Sequence, residues 1–244
     1  GDVYKRQNIY YINRFKMIKI APSILAVDLI NLKDEVKLVD ASGAEYIHID
    51  VMDGHYVPNI TFGPNIVKSL RPVTNKVLDV HLMISPVEKY INNFIEAGAD
   101  IISFHPEADD KPLEIIKNIK NKNCRAGIAI HPNIPVANVT KYLELIDLVV
   151  VMTVVPGAGG QKFMDSEVAK IIELKNIRDQ QKLNFEIEID GGVNKETSQI
   201  CKNSGADVLV AGSYIFSGNK DNYKKYLIFS LLMLVSFSSI FFIY

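Results

Sequence analysis

This sequence of 244 residues has no closely spaced cysteines, no strong net charge and, in its first 16 residues, no apolar stretch typical of a secretory signal. Cys124 and Cys201 are its only cysteines and lack the short spacing of a zinc knuckle or a disulfide framework, which predicts core thiols of an intracellular protein. The net charge is −1 and no long basic or acidic block occurs, so the charge pattern of a nucleic-acid-binding protein is absent. We therefore expect a cytoplasmic protein without a nucleic-acid partner.

The N-terminal segment 1–16 is polar and rich in Tyr and Asn. It has no apolar stretch followed by a small-residue cleavage site, which argues against a secretory signal. We expect either a disordered leader or residues that do not belong to the native protein. The regular part of the sequence begins at Met17.

Short β-branched segments alternate with amphipathic helical segments from Met17 to Lys225. Ser-Gly-Ala-Glu at 42–45 recurs as Ala-Gly-Ala-Asp at 97–100 and as Ser-Gly-Ala-Asp at 204–207, each time where a helix ends and a strand begins. The three segments are spaced at multiples of about 27 residues. Units of this length cannot bury their own apolar faces and must pack against one another. The predicted strands are Ile18–Leu25, Glu45–Val51, Val77–Leu82, Asp100–His105, Arg125–Ile130, Leu148–Met152, Phe185–Asp190 and Asp207–Ala211.

Eight such units with right-handed crossovers predict a single-domain α/β protein with the (β/α)8 TIM-barrel fold. An open doubly wound sheet is the alternative. That fold normally carries a glycine-rich dinucleotide turn after its first strand, and Ala21-Pro22-Ser23-Ile24 is not such a turn. Within a later unit, Ser85-Pro86-Val87-Glu88 has the pattern of a capping box, which predicts that a helix begins at Pro86.

All five histidines lie at or just beyond the end of a predicted strand, where a barrel carries its active site. His48 and Asp50 are two apart on one strand and therefore face the same way. His81 ends the next strand and Asp190 ends the seventh. Two imidazoles and two carboxylates at one barrel mouth suit a single divalent metal ion such as zinc, iron, manganese or cobalt. The five histidines are His48, His55, His81, His105 and His131.

Two further acids, Asp79 and Glu188, face the same way as His81 and Asp190 but one layer deeper in the barrel. They are interpreted either as interior hydrogen-bonding residues or as partners of the metal ligands.

Glycine-rich segments follow three successive predicted strands. They are Pro156-Gly157-Ala158-Gly159-Gly160-Gln161, Gly191-Gly192 and Gly212-Ser213. Backbone amides exposed by glycine bind anions, and the loops after strands seven and eight are the usual phosphate site of this fold. The sequence therefore predicts a phosphorylated small-molecule ligand.

Two long segments resemble the signatures of the ribulose-phosphate 3-epimerase family. The first runs from His48 to Asn59 and the second from Val151 to Phe163. Shorter motifs of that family are matched in the expected order by Ala21–Leu25, Asp79–Met83 and Asp190–Gly192. The resemblance implies an enzyme of the pentose phosphate pathway that inverts carbon 3 of ribulose 5-phosphate to give xylulose 5-phosphate.

The resemblance also implies roles for individual residues. Asp50 would be the general base and Asp190 the general acid, on opposite faces of the substrate. One divalent metal ion would be held by His48, Asp50, His81 and Asp190. The substrate would be contacted by Ser23, His81, Gly157, Ala158, Gly159, Gly160, Gly191, Gly192, Gly212 and Ser213. The reacting carbon would be shielded by Met52, Met83 and Met152.

The chemistry agrees with these roles. The proton on carbon 3 of ribulose 5-phosphate becomes acidic once the neighbouring carbonyl is polarised, which a metal ion does as a Lewis acid. Inversion then needs a base on one face and an acid on the other, and a pair of carboxylates can supply both.

Two positions depart from the family pattern. Val155 and Ala158 stand where a polar residue, often Glu, and a Phe are expected. Neither is a predicted metal ligand or catalytic carboxylate. Ala158 has a smaller side chain than the expected Phe, so its loop is expected to be looser. Two other functions stay open: an epimerase for a hexulose 6-phosphate such as allulose 6-phosphate, and a membrane-anchored barrel without catalysis. We expect the protein to form a homo-oligomer.

The C-terminal segment 226–244 abandons the amphipathic pattern and is apolar on all sides. A barrel helix is predicted to begin near Asp221 and to dock as far as about Leu231. The apolar remainder has three interpretations: a membrane anchor, a helix covered in an oligomer, or a mistranslated end of the reading frame. We favour the last, since a sugar-phosphate enzyme has no evident use for an anchor.

Overall fold

The computed structural model describes residues 18–231 and contains eight parallel strands in one sheet. Neighbouring strands along the sheet are β1, β8, β7, β6, β5, β4, β3 and β2. Their bounds are β1 Lys19–Pro22, β2 Tyr46–Met52, β3 Val77–Met83, β4 Ile101–Phe104, β5 Arg125–Ile130, β6 Leu148–Met152, β7 Glu186–Asp190 and β8 Val208–Ala211.

The two edge strands of this sheet meet each other. Ser23, directly after β1, forms a parallel bridge with His48 of β2. The N–H of Glu45 donates to the carbonyl oxygen of Ile20 at 3.2 Å. The sheet therefore closes into a barrel, as predicted, and the open doubly wound alternative is wrong.

Helices cover the outside of the barrel. In the described part of the chain they are α1 Leu32–Ala41, α2 Pro64–Leu70, α3 Ile91–Ala97, α4 Pro112–Asn121, α5 Val168–Gln181, α6 Lys195–Ser204, α7 Ser213–Phe216 and α8 Tyr223–Leu231. Strand residues alternate between two apolar layers. Ile47 and Ile49 pack outward against the helices. Tyr46, Leu148 and Val150 fill the barrel interior.

The predicted strand bounds are largely confirmed. β5 and β6 match at both ends, and most other ends differ by a single residue. The larger error is at β1, which ends at Pro22 because Ile24–Ala26 forms a 3-10 turn. The hydroxyl of Ser23 accepts a hydrogen bond from the N–H of Leu25 at the start of that turn.

The capping box predicted at Ser85 is wrong, because α3 begins only at Ile91. The Ser85 hydroxyl instead donates to the carbonyl oxygen of Ala108 at 3.0 Å. The N–H groups of Val87 and Glu88 donate to Oδ2 of Asp109 at 3.0 and 3.1 Å. A carboxylate from the next unit therefore binds the two N–H groups that the Ser85 side chain was expected to cap.

The last described helix begins close to Asp221, where a barrel helix was predicted to begin. A 3-10 turn at Lys220–Asn222 leads into α8. Tyr223 and Leu227 are buried, and the Tyr223 hydroxyl donates to Oε2 of Glu35 at 2.7 Å. The predicted leader 1–16 and tail residues 232–244 lie outside the described residues. Within residues 18–231, no helix has both the length and the apolar character needed to span a membrane.

A charged cluster closes the barrel at the N-terminal ends of the strands. Glu186 begins β7 and forms an ion pair with Lys19 at the start of β1. Oε2 of Glu186 accepts from Nη2 of Arg125 at 2.6 Å and from the Tyr46 hydroxyl at 2.7 Å. Burial opposes the charged form of Glu186, but these hydrogen bonds lower its pKa to about 2.

We expect Glu186→Gln to lower the free energy of unfolding by about 2 kcal/mol at pH 7. Breaking a fully buried ion pair would cost more, but Lys19 and Arg125 are partly exposed to solvent. The folded pKa lies below the usual 4.5, so this contribution is present above that pH and is lost as the pH falls toward 2. Urea unfolding at pH 7 and pH 3 measures it.

The matched control is Glu114→Gln. Glu114 pairs with Lys111 at 3.6 Å on the surface, where 67% of its side chain is exposed. Its removal should change the unfolding free energy by less than about 0.5 kcal/mol. Equal effects of the two substitutions would contradict a stabilising role for the cluster at the base of the barrel.

Candidate active site

The side chains that point into the C-terminal mouth of the barrel come from β2, β3 and β7. His48 and Asp50 are two apart on β2 and pair in register with Asp79 and His81 of β3. Because side chains alternate along a strand, all four face the barrel interior. Asp190 ends β7. Parallel pairing in this register therefore brings the predicted ligands to one level.

The structure brings His48, Asp50, His81 and Asp190 together, with one ligand atom of each within 4.8 Å of the others. Oδ1 of Asp50 lies 3.3 Å from Nε2 of His48 and 3.5 Å from Nδ1 of His81. Oδ2 of Asp190 lies 3.5 Å from the same His81 nitrogen. Both imidazoles are fully buried.

This donor set fits a divalent metal ion. Nε2 of His48 and Nδ1 of His81 are buried and make no hydrogen bond of good geometry. Buried polar atoms without a partner are costly, and here both nitrogens point toward two carboxylates. Two imidazole nitrogens and two carboxylate oxygens at this spacing are the ligands that zinc, iron, manganese and cobalt accept.

The electrostatics of the cluster favour opposite charges. Burial alone would lower the pKa of His48, but the charges of Asp50 and Asp79 raise it well above its usual value. Burial would raise the pKa of Asp50, yet His48 and His81 hold it well below its usual range. The carboxylates thus create a strongly negative pocket, which attracts protons or a metal cation to the same place.

Two deeper acids support His48 from below. Oδ2 of Asp79 lies 2.7 Å from Nδ1 of His48, and Oε1 of Glu188 lies 3.4 Å from it. If His48 donates its Nδ1 proton to the Asp79 carboxylate, Nε2 carries no proton and its lone pair can bind a metal ion. Burial and the nearby Asp79 charge raise the pKa of Glu188 well above its usual value.

The two acids of the cluster are themselves held in place. The Ser23 hydroxyl donates to Oδ2 of Asp50 at 2.6 Å. The Thr153 hydroxyl donates to the carbonyl oxygen of Gly191 at 2.6 Å and lies 3.1 Å from that of Asp190. The sequence predictions included Ser23 but missed Thr153. Its position directly after a strand end was the available signal.

A cleft of about 730 Å³ lies above the cluster. Among the described residues, its lining contains no Lys or Arg. Every predicted substrate residue except His81 lines it, while His81 lies in the buried floor. The three predicted methionines also line it and are almost fully buried. The lining thus includes Ser23, Gly157, Ala158, Gly159, Gly160, Gly191, Gly192, Gly212, Ser213, Met52, Met83 and Met152.

Two polar side chains hold the glycine-rich loop over the cleft. Nδ2 of Asn59 donates to the carbonyl oxygen of Gly157 at 3.1 Å. Nε2 of Gln161 donates to the carbonyl oxygens of Val155 and Ala158 at 2.7 and 2.8 Å. All three bonds are accepted by backbone carbonyl oxygens of the loop, so they leave its N–H groups available. The exposed side chain of Ala158 takes no part in them.

Gly192 is required by space as well as by backbone conformation. Its φ is +65°, and an added Cβ would lie 2.5 Å from the nitrogen of Phe163. We expect Gly192→Ala to lower the free energy of unfolding by about 3 kcal/mol, since both backbone strain and overlap with a fixed main chain contribute. Chemical denaturation measures the loss.

Gly160→Ala is the matched control for this substitution. Gly160 has φ +73° in the neighbouring loop, but an added Cβ there meets nothing within 4 Å. Strain alone should cost about 1 kcal/mol. If the free energy of unfolding falls equally in the two variants, the close approach of Gly192 to Phe163 does not contribute to the loss.

Three predicted rim histidines stay outside the cluster. His55 is exposed in the loop after β2, and His131 is half-buried after β5. His105 is fully buried after β4, and its Nε2 lies 3.1 Å from Nε2 of His81. Burial lowers the pKa of His105 to about 4. Two of the five histidines are therefore predicted ligands, and a third touches one of them.

Fold and site together define a class of protein. It is a (β/α)8 barrel that carries a buried imidazole–carboxylate cluster, able to hold one divalent metal ion, beneath a glycine-lined cleft. Such a cleft at the C-terminal end of the strands is where barrels of this kind hold small ligands.

Residues 19–216 match the family model described as the ribulose-phosphate 3 epimerase family. The chain is 50% identical over 209 residues to the ribulose-phosphate 3-epimerase of Bacillus subtilis, covering 85% of this chain and 96% of that one. It is 39% identical to the Escherichia coli K12 enzyme of that name, covering 86% and 93% of the two chains. The chain belongs to the ribulose-phosphate 3-epimerase family.

A more distant solved structure shares the fold alone. The chain resembles 3-keto-L-gulonate-6-phosphate decarboxylase from Vibrio cholerae, with a TM-score of 0.65 at 15% sequence identity. The alignment covers 88% of this chain and 94% of the decarboxylase. The structural likeness supports the barrel architecture.

Proposed function

We propose that this protein interconverts ribulose 5-phosphate and xylulose 5-phosphate by inverting carbon 3 through an enediolate. The observation that carries the proposal is the meeting of Asp50 and Asp190 beside two unpartnered histidine nitrogens. Family membership and 50% identity to a relative of that name support the same reaction. We place the protein in the cytoplasm and expect a homo-oligomer.

Asp50 is the general base and Asp190 the general acid in the direction from ribulose 5-phosphate. The two acids project from β2 and β7, which are separated in the closed barrel by β1 and β8. The substrate loses its C3 proton to one carboxylate and becomes a planar enediolate, which then takes a proton from the other acid on the opposite face, so that carbon 3 is inverted. The low pKa of Asp50 keeps it ionised as a base, while Ser23 fixes its second oxygen.

His48, Asp50, His81 and Asp190 would hold one divalent metal ion, for which zinc, iron, manganese or cobalt is proposed. When bound, the ion would supply Lewis-acid polarisation of the carbonyl beside carbon 3 and stabilise the negative charge that develops there. Asp79 and Glu188 orient His48 for this purpose from below.

The phosphate of the substrate binds the backbone amides of the loops after β6, β7 and β8. The cleft offers it no Lys or Arg among the described lining residues, so neutral donors must bind it, above all the glycine N–H groups and the Ser213 hydroxyl. Met52, Met83 and Met152 form an apolar wall near the two acids. Such a wall keeps water away from the enediolate, so that carbon 3 is reprotonated by a carboxyl group on a defined face and not directly by water.

A coupled assay of the full chain with added metal tests this proposal. We expect turnover of ribulose 5-phosphate, loss of turnover after chelation, and recovery with zinc, manganese, cobalt or iron. A hexulose 6-phosphate such as allulose 6-phosphate, assayed in parallel, tests the related epimerase activity. A folded, metal-loaded protein that converts no ketose phosphate would overturn the enzyme assignment and favour a barrel without catalysis.

A further inference from the structure

His81 has two ring nitrogens with different surroundings. Nδ1 faces the predicted metal position, 3.5 Å from both Asp50 Oδ1 and Asp190 Oδ2. Nε2 lies 3.1 Å from Nε2 of His105. A neutral imidazole carries its proton on one nitrogen only, and a metal needs a nitrogen without a proton. The tautomer of His81 therefore decides whether it can bind a metal.

The short contact between the two imidazoles links their tautomers. Two nitrogens at 3.1 Å form a hydrogen bond only if one of them carries a proton and the other does not. If His81 donates, its Nδ1 is free for a metal. If His105 donates, the proton of His81 lies on Nδ1 and blocks the metal position. The second arrangement is favoured by Asp50 and Asp190, since Nδ1–H would face their charges.

Glu107 opposes that second arrangement from the other side of His105. Its Oε1 lies 3.4 Å from Nδ1 of His105, and the negative charge favours a proton on that nitrogen. The Tyr56 hydroxyl donates to the same oxygen at 3.0 Å, and the Tyr56 ring lies against His105 with centroids 5.0 Å apart. With its proton on Nδ1, His105 can only accept at Nε2, so His81 must donate.

We propose that His105 and Glu107 form a positioning pair that holds His81 in its metal-binding tautomer. The inference rests on the proposed function, because it assumes that His81 is a ligand. His105 is fully buried and touches neither Asp50 nor Asp190 in the contacts described. The pair thus acts through His81, much as Asp79 acts on His48 from below.

Cobalt binding to the full chain tests the proposal without relying on turnover. Co²⁺ is titrated into metal-free protein, its visible absorption bands are followed, and affinity is measured by competition with a chelator. Glu107→Gln keeps the shape but removes the charge, and we expect about tenfold weaker binding. His105→Phe removes the acceptor and should weaken binding by about 10- to 100-fold. His105→Gln, which offers an acceptor oxygen, should bind better than His105→Phe.

His131→Gln is the matched control. This histidine follows the next strand, and its ring lies beside that of His105 with centroids 6.5 Å apart, yet it contacts no predicted ligand. We expect its cobalt affinity to stay within about twofold of the wild type, since it lies outside the ligand contacts. At saturating Co²⁺, the KM of Glu107→Gln should also match the wild type, because the cleft above is unchanged.

The outcomes separate this inference from the proposed function. A wild-type chain that binds no cobalt and converts no substrate would overturn both. A wild type that binds cobalt and is active, with Glu107→Gln and His105→Phe equal to it in affinity, would overturn the positioning pair alone. If His105→Phe does not fold, Glu107→Gln decides, because its carboxyl group is partly exposed and its substitution leaves the core intact.

Discussion

Asp50→Asn and Asp190→Asn should each lower turnover by at least about a hundredfold at saturating metal, and more where the amide also weakens metal binding. We assign the two acids to opposite faces of the substrate, so the loss of either one should leave the other unable to complete the inversion. Steady-state kinetics in both reaction directions measure the loss.

Exchange in heavy water separates the two variants. Asp190→Asn keeps the base for ribulose 5-phosphate, whose C3 proton should still exchange with solvent. Asp50→Asn should instead retain exchange from xylulose 5-phosphate. Equal exchange from both epimers in both variants would refute the assignment of one acid to each face.

His81→Ala and His48→Ala should strongly reduce bound metal per chain, and turnover should fall with it. Each substitution removes one of four donors and leaves two carboxylates facing each other without a cation between them. Metal analysis after dialysis measures stoichiometry, and turnover with excess zinc or manganese shows whether activity can be recovered.

Cys124→Ala serves as the control for that experiment, since Cys124 is buried between strand and helix and lies outside the cluster. It should keep the wild-type metal content. Unchanged metal content in both histidine variants would mean that the ion binds elsewhere in the protein.

Much of the candidate site could be predicted because strand geometry is periodic. His48 and Asp50 had to share a face, and parallel pairing had to bring strand ends together. The three repeated segments at 42–45, 97–100 and 204–207 do follow helix ends, and their glycines Gly43, Gly98 and Gly205 have positive φ. In each case local sequence determines the conformation, so no distant contact had to be known.

The features that were missed depend on distant segments meeting. Glu186 and Lys19 are 167 residues apart, and nothing near either of them indicates the ion pair. The N–H groups of Val87 and Glu88 bind Asp109, which lies in the next unit, and not the nearby Ser85 side chain. The positioning pair of His105 and Glu107 likewise depends on contacts with Tyr56 and His81, which lie on earlier units. Such contacts follow only from the closed barrel.

The most direct measurement is proton NMR of ribulose 5-phosphate with the metal-loaded full chain in heavy water. The account predicts xylulose 5-phosphate that carries deuterium at carbon 3, with no exchange at carbons 4 and 5, and neither product nor exchange after chelation. A folded chain with one bound metal ion that leaves the C3 proton in place and forms no xylulose 5-phosphate would contradict it.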